Sequence, residues 1–204
     1  MELFDVLKMR QSTRKYSDEQ ITKEQVDRLL EAANYAPVGS NLYKDLHITV
    51  VQDQQKLLKL CEAAWKRFDS RKKVEEIAGD TLQDPEKRPA KPNLFYGAPT
   101  VFFISHRKQD LQPGIEWANV MSVASMIHLA ATEMGLGSVY MWGALESMRM
   151  YPELDHTDLL DMPEDFEPLL GVAVGKPLVQ LGGNPKEHQP IGVNYIDADR
   201  EKKR

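Results

Sequence analysis

Apolar residues recur along this chain with three spacings, and each spacing marks a different kind of element. Val26, Leu29, Leu30 and Ala33 stand at i, i+3, i+4 and i+7, the stripe of a helix with one buried face. Thr22 and Gln25 form a capping-box pattern at its start, and Pro37 requires it to stop. Residues 2–9 predict a shorter amphipathic helix before it, and QQKLLKLCEAAWKRF, residues 54–68, returns to the same period. IEWANVMSVASMIHLAATEM, residues 115–134, is apolar nearly all round and rich in small side chains, which predicts a helix enclosed within a water-soluble fold. Polar Glu116, Asn119 and Glu133 argue against a membrane role for it.

The second spacing is the dense β-branched run HITVVQ, residues 47–52, and the third is the unbroken apolar run TVFFISH, residues 100–106. A strand covered on both faces reads this way, so 100–106 belongs at the centre of a sheet. SVYMW (138–142) and LLGVAVG (169–175) predict two further strands, with the polar stretch 143–167 as a connection. Residues 69–93 carry Pro85, Pro89 and Pro92 without sustained period and read as an excursion or lid. The C-terminal extension 177–204 contains the alternating IGVNYI (191–196), which has no local partner and is a candidate for pairing with another subunit's sheet edge. No internal repeat is found, and residues 1–204 read as one domain.

A net charge of −5 gives no general attraction to nucleic acid or anionic membrane, so any anion must be held locally. No run approaches the ~18 apolar residues of a membrane span and no secretory leader is visible, which predicts a cytoplasmic protein. Cys61 is the single cysteine, set among leucines, and reads as a buried inert thiol. The five histidines are scattered without HExxH spacing, and no metal is predicted. GxGxxG, GxxxxGKS/T and GxSxG are all absent.

Against this acidic background, KMRQSTRKY (8–16) packs Lys8, Arg10, Arg14 and Lys15 around Ser12. Arg10, Ser12 and Arg14, spaced i, i+2, i+4, can converge on one phosphate, and a solvated basic face is the other reading. In YAPVGSN (35–41) the loop residues Gly39, Ser40 and Asn41 can face a ligand or close an Asx-type turn. GLGS (135–138) permits a left-handed helix end and equally the close approach of a flat ligand.

In order along the chain, RQSTRKY, AAxYAPVGSN, YGAPTVFFI, LAATEMGLGSVYMWG and PLLGVAVGKP resemble the FMN-dependent nitroreductase family. The resemblance implies an α+β fold, a central and mainly antiparallel sheet wrapped by helices, in an intertwined homodimer with FMN between subunits. It implies that Arg10, Gln11 and Ser12 hold the phosphate and ribityl end of FMN, with Arg14 near the pyrimidine side of the ring. Asn41 would reach the ribityl chain or ring from the same or the adjacent subunit. Tyr140, Met141, Trp142 and Gly143 would lie along the flavin, and Lys186 would meet the phosphate, with His188 close by. No catalytic side chain is implied: hydride passes from NADH or NADPH through flavin N5 to a nitroaromatic, quinone or similar acceptor.

Three departures stand out. Asn41 is followed by Leu42, Tyr43, Lys44 and Asp45 where the family often has Q-P-W; Trp142 stands where some members have an acidic residue; His188 replaces an expected arginine. They leave open a flavin-storing or flavin-sensing protein, or a divergent flavin enzyme such as a dehalogenase.

Overall fold

The computed structural model describes residues 2–67, 69, 93–182 and 190–196. In chain order its elements are α1 (Leu3–Met9), α2 (Lys23–Asn34), β1 (Leu46–Val51), α3 (Gln54–Leu60), β2 (Thr100–Arg107), α4 (Ile115–Glu133), β3 (Gly137–Met141), α5 (Gly143–Met150) and β4 (Phe166–Gly175). Helix α2 starts on the expected capping box: Gln25 N–H donates to Thr22 Oγ1 at 3.2 Å, and Thr22 N–H donates back to Gln25 Oε1 at 2.9 Å. It ends at Asn34, three residues before Pro37. A turn at Cys61 closes α3 before helical geometry resumes over 62–67.

The four strands form one antiparallel sheet in the order β1-β2-β4-β3. Strand β2 is interior, and all but its last residue are buried, as its unbroken apolar run requires. Alternation sends Phe102 and Ile104 to one face, with Val172 and Val174, under α2 and α4. Val101, Phe103 and Ala173 go to the other face, against Leu57 and Leu60 of α3 and Leu145 and Met148 of α5. Helix α4 touches α1, α2 and three of the strands, yet it is not enclosed as its composition predicts: Trp117, Ala118 and Met121 are exposed on the single chain.

Two further expectations are corrected. Residues 143–167 are not merely a polar connection: Ala144, Leu145 and Met148 form a short apolar stripe that buries α5, and two 3-10 turns follow. The weak signal was the lack of a side-chain cap, since Trp142 occupies the N-cap. Strand β4 begins at Phe166 rather than 169, and Pro168 lies within it. The register skips Leu169 beside Ser105, a bulge that accommodates a residue with no N–H to give the ladder. Residues 190–196 take no regular structure within the single chain and are exposed. Nearly all of the 69–93 excursion lies outside the described residues.

Candidate functional site

The basic segment after α1 is extended and is bonded to the free edge of β3. Thr13 N–H donates to the Ser138 carbonyl at 3.0 Å, and Ser12 forms a parallel bridge with Ser138. Successive side chains of an extended segment point to opposite sides. Thr13 therefore turns inward and is buried, while half-buried Arg10, exposed Ser12 and exposed Arg14 share the outward side. The inward side fits only against glycine: a Cβ on Gly137 would come within 2.6 Å of Thr13 Cγ2. Tyr16 closes the segment, its hydroxyl donating to the Thr13 carbonyl at 2.8 Å. Among the described residues, the two guanidinium groups on this segment, Arg10 and Arg14, have no carboxylate partner, although nine Lys or Arg ion pairs occur elsewhere.

Arg10 is held from behind. Its Nη1 lies 3.1 Å from His128 Nε2 on α4. A guanidinium can only donate, so Nε2 accepts and the ring proton resides on Nδ1, which is hydrogen-bonded to Ser138 Oγ. The imidazole also packs on Tyr140, with centroids 4.9 Å apart. Burial, and next the charge of Arg10, depress the His128 pKa from 6.5 to about 4, so the ring is neutral at neutral pH.

Arg14 leads toward the other end of the site. Its guanidinium carbon lies 5.8 Å from the centre of the Tyr96 ring. Tyr96, with φ of +58°, lines a cleft of about 340 Å³ with Tyr140, Met141, Trp142, Gly143 and Ala144. The cleft therefore joins the C-terminal end of β3 to the start of α5. Trp142 is 55% exposed, with Trp117 of α4 edge-on to it at 6.3 Å. Arg67 and Glu146 pair on the cleft wall. The arrangement offers a cationic strip at one end and aromatic side chains at the other, which suits a flat ring carrying an anionic tail.

The loop 39–41 is placed separately. Gly39 N–H donates to Asn119 Oδ1 at 2.8 Å, and Ser122 Oγ donates to the Pro37 carbonyl at 2.7 Å, fixing the loop to the N-terminal half of α4. Asn119 Nδ2 faces His106 Nε2 at 3.4 Å, and His106 Nδ1 donates to the Arg107 carbonyl at 2.8 Å. Ser40 and Asn41 both have positive φ, a conformation tolerated by Asn and rare for Ser. Asn119 and His128 are nine residues apart, which at 100° per residue sets them on opposite sides of α4, about 13 Å apart along its axis. The 39–41 loop is thus tied to the N-terminal half of α4, and Arg10 to His128 in its C-terminal half.

Tyr140, Met141, Trp142 and Gly143 thus share one cleft, Arg14 meets it through Tyr96, Arg10 and Ser12 lie on the same extended segment beside β3, and exposed Asn41 lies on the loop held to the N-terminal half of α4. Gln11 turns away to the Gln180 carbonyl at 3.2 Å, the side-chain amide donating, and so braces the C-terminal extension. Lys186 and His188 lie outside the described residues. Tyr43 donates to the Ala36 carbonyl at 3.0 Å and packs its own loop. Phe95, near the expected lid, is core, edge-on to Phe103 at 5.7 Å. Cys61 is buried, which pushes its thiol up to about 11 and makes it inert. Sequence reasoning missed the roles of His128 and Ser138. The available signal was one histidine on a helix otherwise apolar at that end, since a buried polar group must find partners.

The model of the Nitroreductase family matches residues 7–176. An NADPH-dependent oxidoreductase of Staphylococcus haemolyticus is 25% identical, covering 93% of this chain and 70% of its own. The FMN reductase (NAD(P)H) of Bacillus subtilis is 26% identical, over 92% of this chain and 70% of its own. Among solved structures, an FMN-dependent nitroreductase from Clostridium difficile superposes with a TM-score of 0.70 at 28% identity, covering 96% of this chain and 99% of that one. A nitroreductase with bound FMN from Desulfitobacterium hafniense shares the fold, with a TM-score of 0.71 at 22% identity over 97% of this chain and all of that one. A match spanning most of the sequence, on the fold described above, places this chain in the nitroreductase family.

Proposed function

We propose that the chain is an FMN-dependent oxidoreductase that uses NADH or NADPH to reduce a nitroaromatic, quinone or similar small acceptor. One observation carries the reading: Arg10, Ser12 and Arg14 lie on one extended strip beside β3, neither arginine has a carboxylate partner among the described residues, and Arg14 meets an aromatic cleft through Tyr96. The residues present fit FMN. Arg10 and Ser12 would bind the phosphate and ribityl end, and Arg14 the pyrimidine edge, where a cation favours added negative charge. Bound FMN supplies a two-electron carrier between a reduced nicotinamide and the acceptor. Tyr96, Tyr140 and Trp142 would orient the ring and keep water from one side of it. No side chain is asked to act as acid, base or nucleophile.

The working unit in this reading is a homodimer of single-domain chains, 1–204. Leu3 and Phe4 of α1, and Ile191 and Ile196 of the extension, are 62–98% exposed, an apolar surface suited to a second copy. Asn41, exposed on the loop held to the N-terminal half of α4, serves the neighbouring chain's site in this reading. Residues 177–182 stay on their own chain, bonded to Lys15 and Gln11, and in this reading it is the part of the extension beyond them, with Lys186 and His188, that would reach the phosphate at the subunit interface.

The test is spectroscopic. Purified protein is titrated with FMN and then treated anaerobically with NADH and with NADPH. Quenched flavin fluorescence on binding, followed by bleaching of the visible flavin band, is expected. Failure to bind FMN at micromolar concentration overturns the reading, and binding without NAD(P)H oxidation makes the chain a flavin carrier.

A further inference from the structure

We propose that His128 is a positioning residue that fixes the Arg10 guanidinium for the phosphate of FMN and so sets the preference for FMN over unphosphorylated flavin. The inference rests on the proposed function. Its geometry does not: Arg10 Nη1 sits 3.1 Å from His128 Nε2, the other ring nitrogen is bonded to Ser138, and the ring face lies on Tyr140. Each contact fixes a different freedom. Ser138 selects the tautomer, Tyr140 limits ring rotation, and the remaining lone pair takes one of the five N–H groups of Arg10. The other guanidinium N–H groups stay available on the outward side.

A histidine carries out this task and a carboxylate would not. A carboxylate would neutralise Arg10 and compete with the phosphate, whereas a neutral imidazole orients the cation and leaves its charge uncompensated. Burial and the neighbouring guanidinium both keep the ring in that neutral form. Thr13, anchored through the same Ser138, holds the adjacent backbone, so the side-chain and main-chain supports of the strip meet at one serine. Tyr140 in turn donates to Ser125 Oγ, which donates to the Met121 carbonyl, so the ring beneath His128 is itself bonded to α4.

The experiment measures dissociation constants of FMN and riboflavin by flavin fluorescence for wild type, His128→Phe, His128→Gln, Arg10→Gln and the double variant His128→Phe/Arg10→Gln. His128→Phe keeps a ring on Tyr140 and removes the acceptor; should it fail to fold, His128→Leu carries the same expectation. The FMN-over-riboflavin preference should fall about tenfold in His128→Phe with riboflavin affinity unchanged. His128→Gln, whose amide can accept from Arg10 and donate to Ser138, should stay within about threefold of wild type. His128→Phe should add nothing further once Arg10 is gone, because the pair acts as one unit. Equal loss of both flavins, an unchanged preference, or full additivity with Arg10→Gln overturns the positioning role alone. A wild type that binds neither flavin overturns the functional reading and this inference with it.

Discussion

The two ends of the candidate site are built differently. At the Arg10 end the outward side chains are held from behind by buried partners: His128, Ser138 and Thr13 are each at most 5% exposed. At the cleft end, Trp142 and Tyr96 are 55% and 41% exposed, and Trp142 meets another aromatic only edge-on, through Trp117. A buried network fixes one geometry, because any departure leaves a desolvated polar group without its partner. An exposed aromatic surface has no such requirement and accepts varied flat partners at little cost. The fixed end suits a resident cofactor and the open end suits a range of acceptors.

Acid provides the largest test of this contrast. The folded pKa of His128, about 4, lies below the 6.5 of the free imidazole. Between those values the unfolded chain takes up a proton that the folded chain refuses, so stability rises with pH across this window and is lost on acidification. A gap of this size contributes about 2.5 kcal/mol between pH 7 and pH 4.5. Urea unfolding at the two pH values should show that loss on top of the general acid effect, and His128→Gln should abolish the difference. A variant with the same pH dependence as wild type would show that the Arg10 end is not the acid-sensitive part.

Packing gives the next largest effect. Gly137→Ala brings a Cβ within 2.6–2.8 Å of three Thr13 atoms, one of them Thr13 Cβ, so the whole segment must move off β3. Thermal unfolding should report a loss of about 1–3 kcal/mol, accompanied by weaker FMN binding. Thr13→Ala in the same chain should restore only part of it, since Thr13 Cβ itself is 2.8 Å from the new methyl. Retained stability with lost FMN binding would separate the strip from the fold, and the contrast would then concern binding alone.

These residues also show what was legible in the sequence. The four strands, α2 with its cap, and the presence of α4 were readable because their signals are local: a period, a capping pair, a breaking proline. Arg10, Ser12 and Arg14 stood out in the sequence as a local cationic run, and the structure places them on one extended segment beside β3. The pairing of Arg10 with His128 was not readable, since 118 residues separate them and contact across that distance follows from the sheet's assembly. Helix α5 was missed because it is short and Trp142 gives no side-chain cap. The bulge that admits Pro168 depends on register with β2, which no local pattern encodes.

Arg14 lies between the two ends, exposed and without a carboxylate partner among the described residues. Replacing it with glutamine removes a cation from the pyrimidine edge and should lower the midpoint potential of the bound FMN by about 20–45 mV. Potentiometric titration with reference dyes measures this directly. An unchanged potential with weakened FMN binding would assign Arg14 to the phosphate end and move the boundary between the two regions toward the cleft.

The smallest effect is expected at Trp142. Its side chain is more than half exposed and tops α5 without a hydrogen bond, so Trp142→Ala should change stability by less than about 1 kcal/mol. FMN affinity should stay within about twofold of wild type, because the anion strip is untouched. The consequence should appear in the acceptor: KM for bulky aromatic acceptors should shift several-fold while kcat with a small quinone changes little, since ring stacking contributes about 0.5–1.5 kcal/mol. Steady-state kinetics with a series of acceptors of increasing width makes the distinction. If Trp142→Ala costs as much FMN affinity as Arg10→Gln, the cleft is as much a cofactor anchor as the strip, and acceptor tolerance must arise elsewhere in the site.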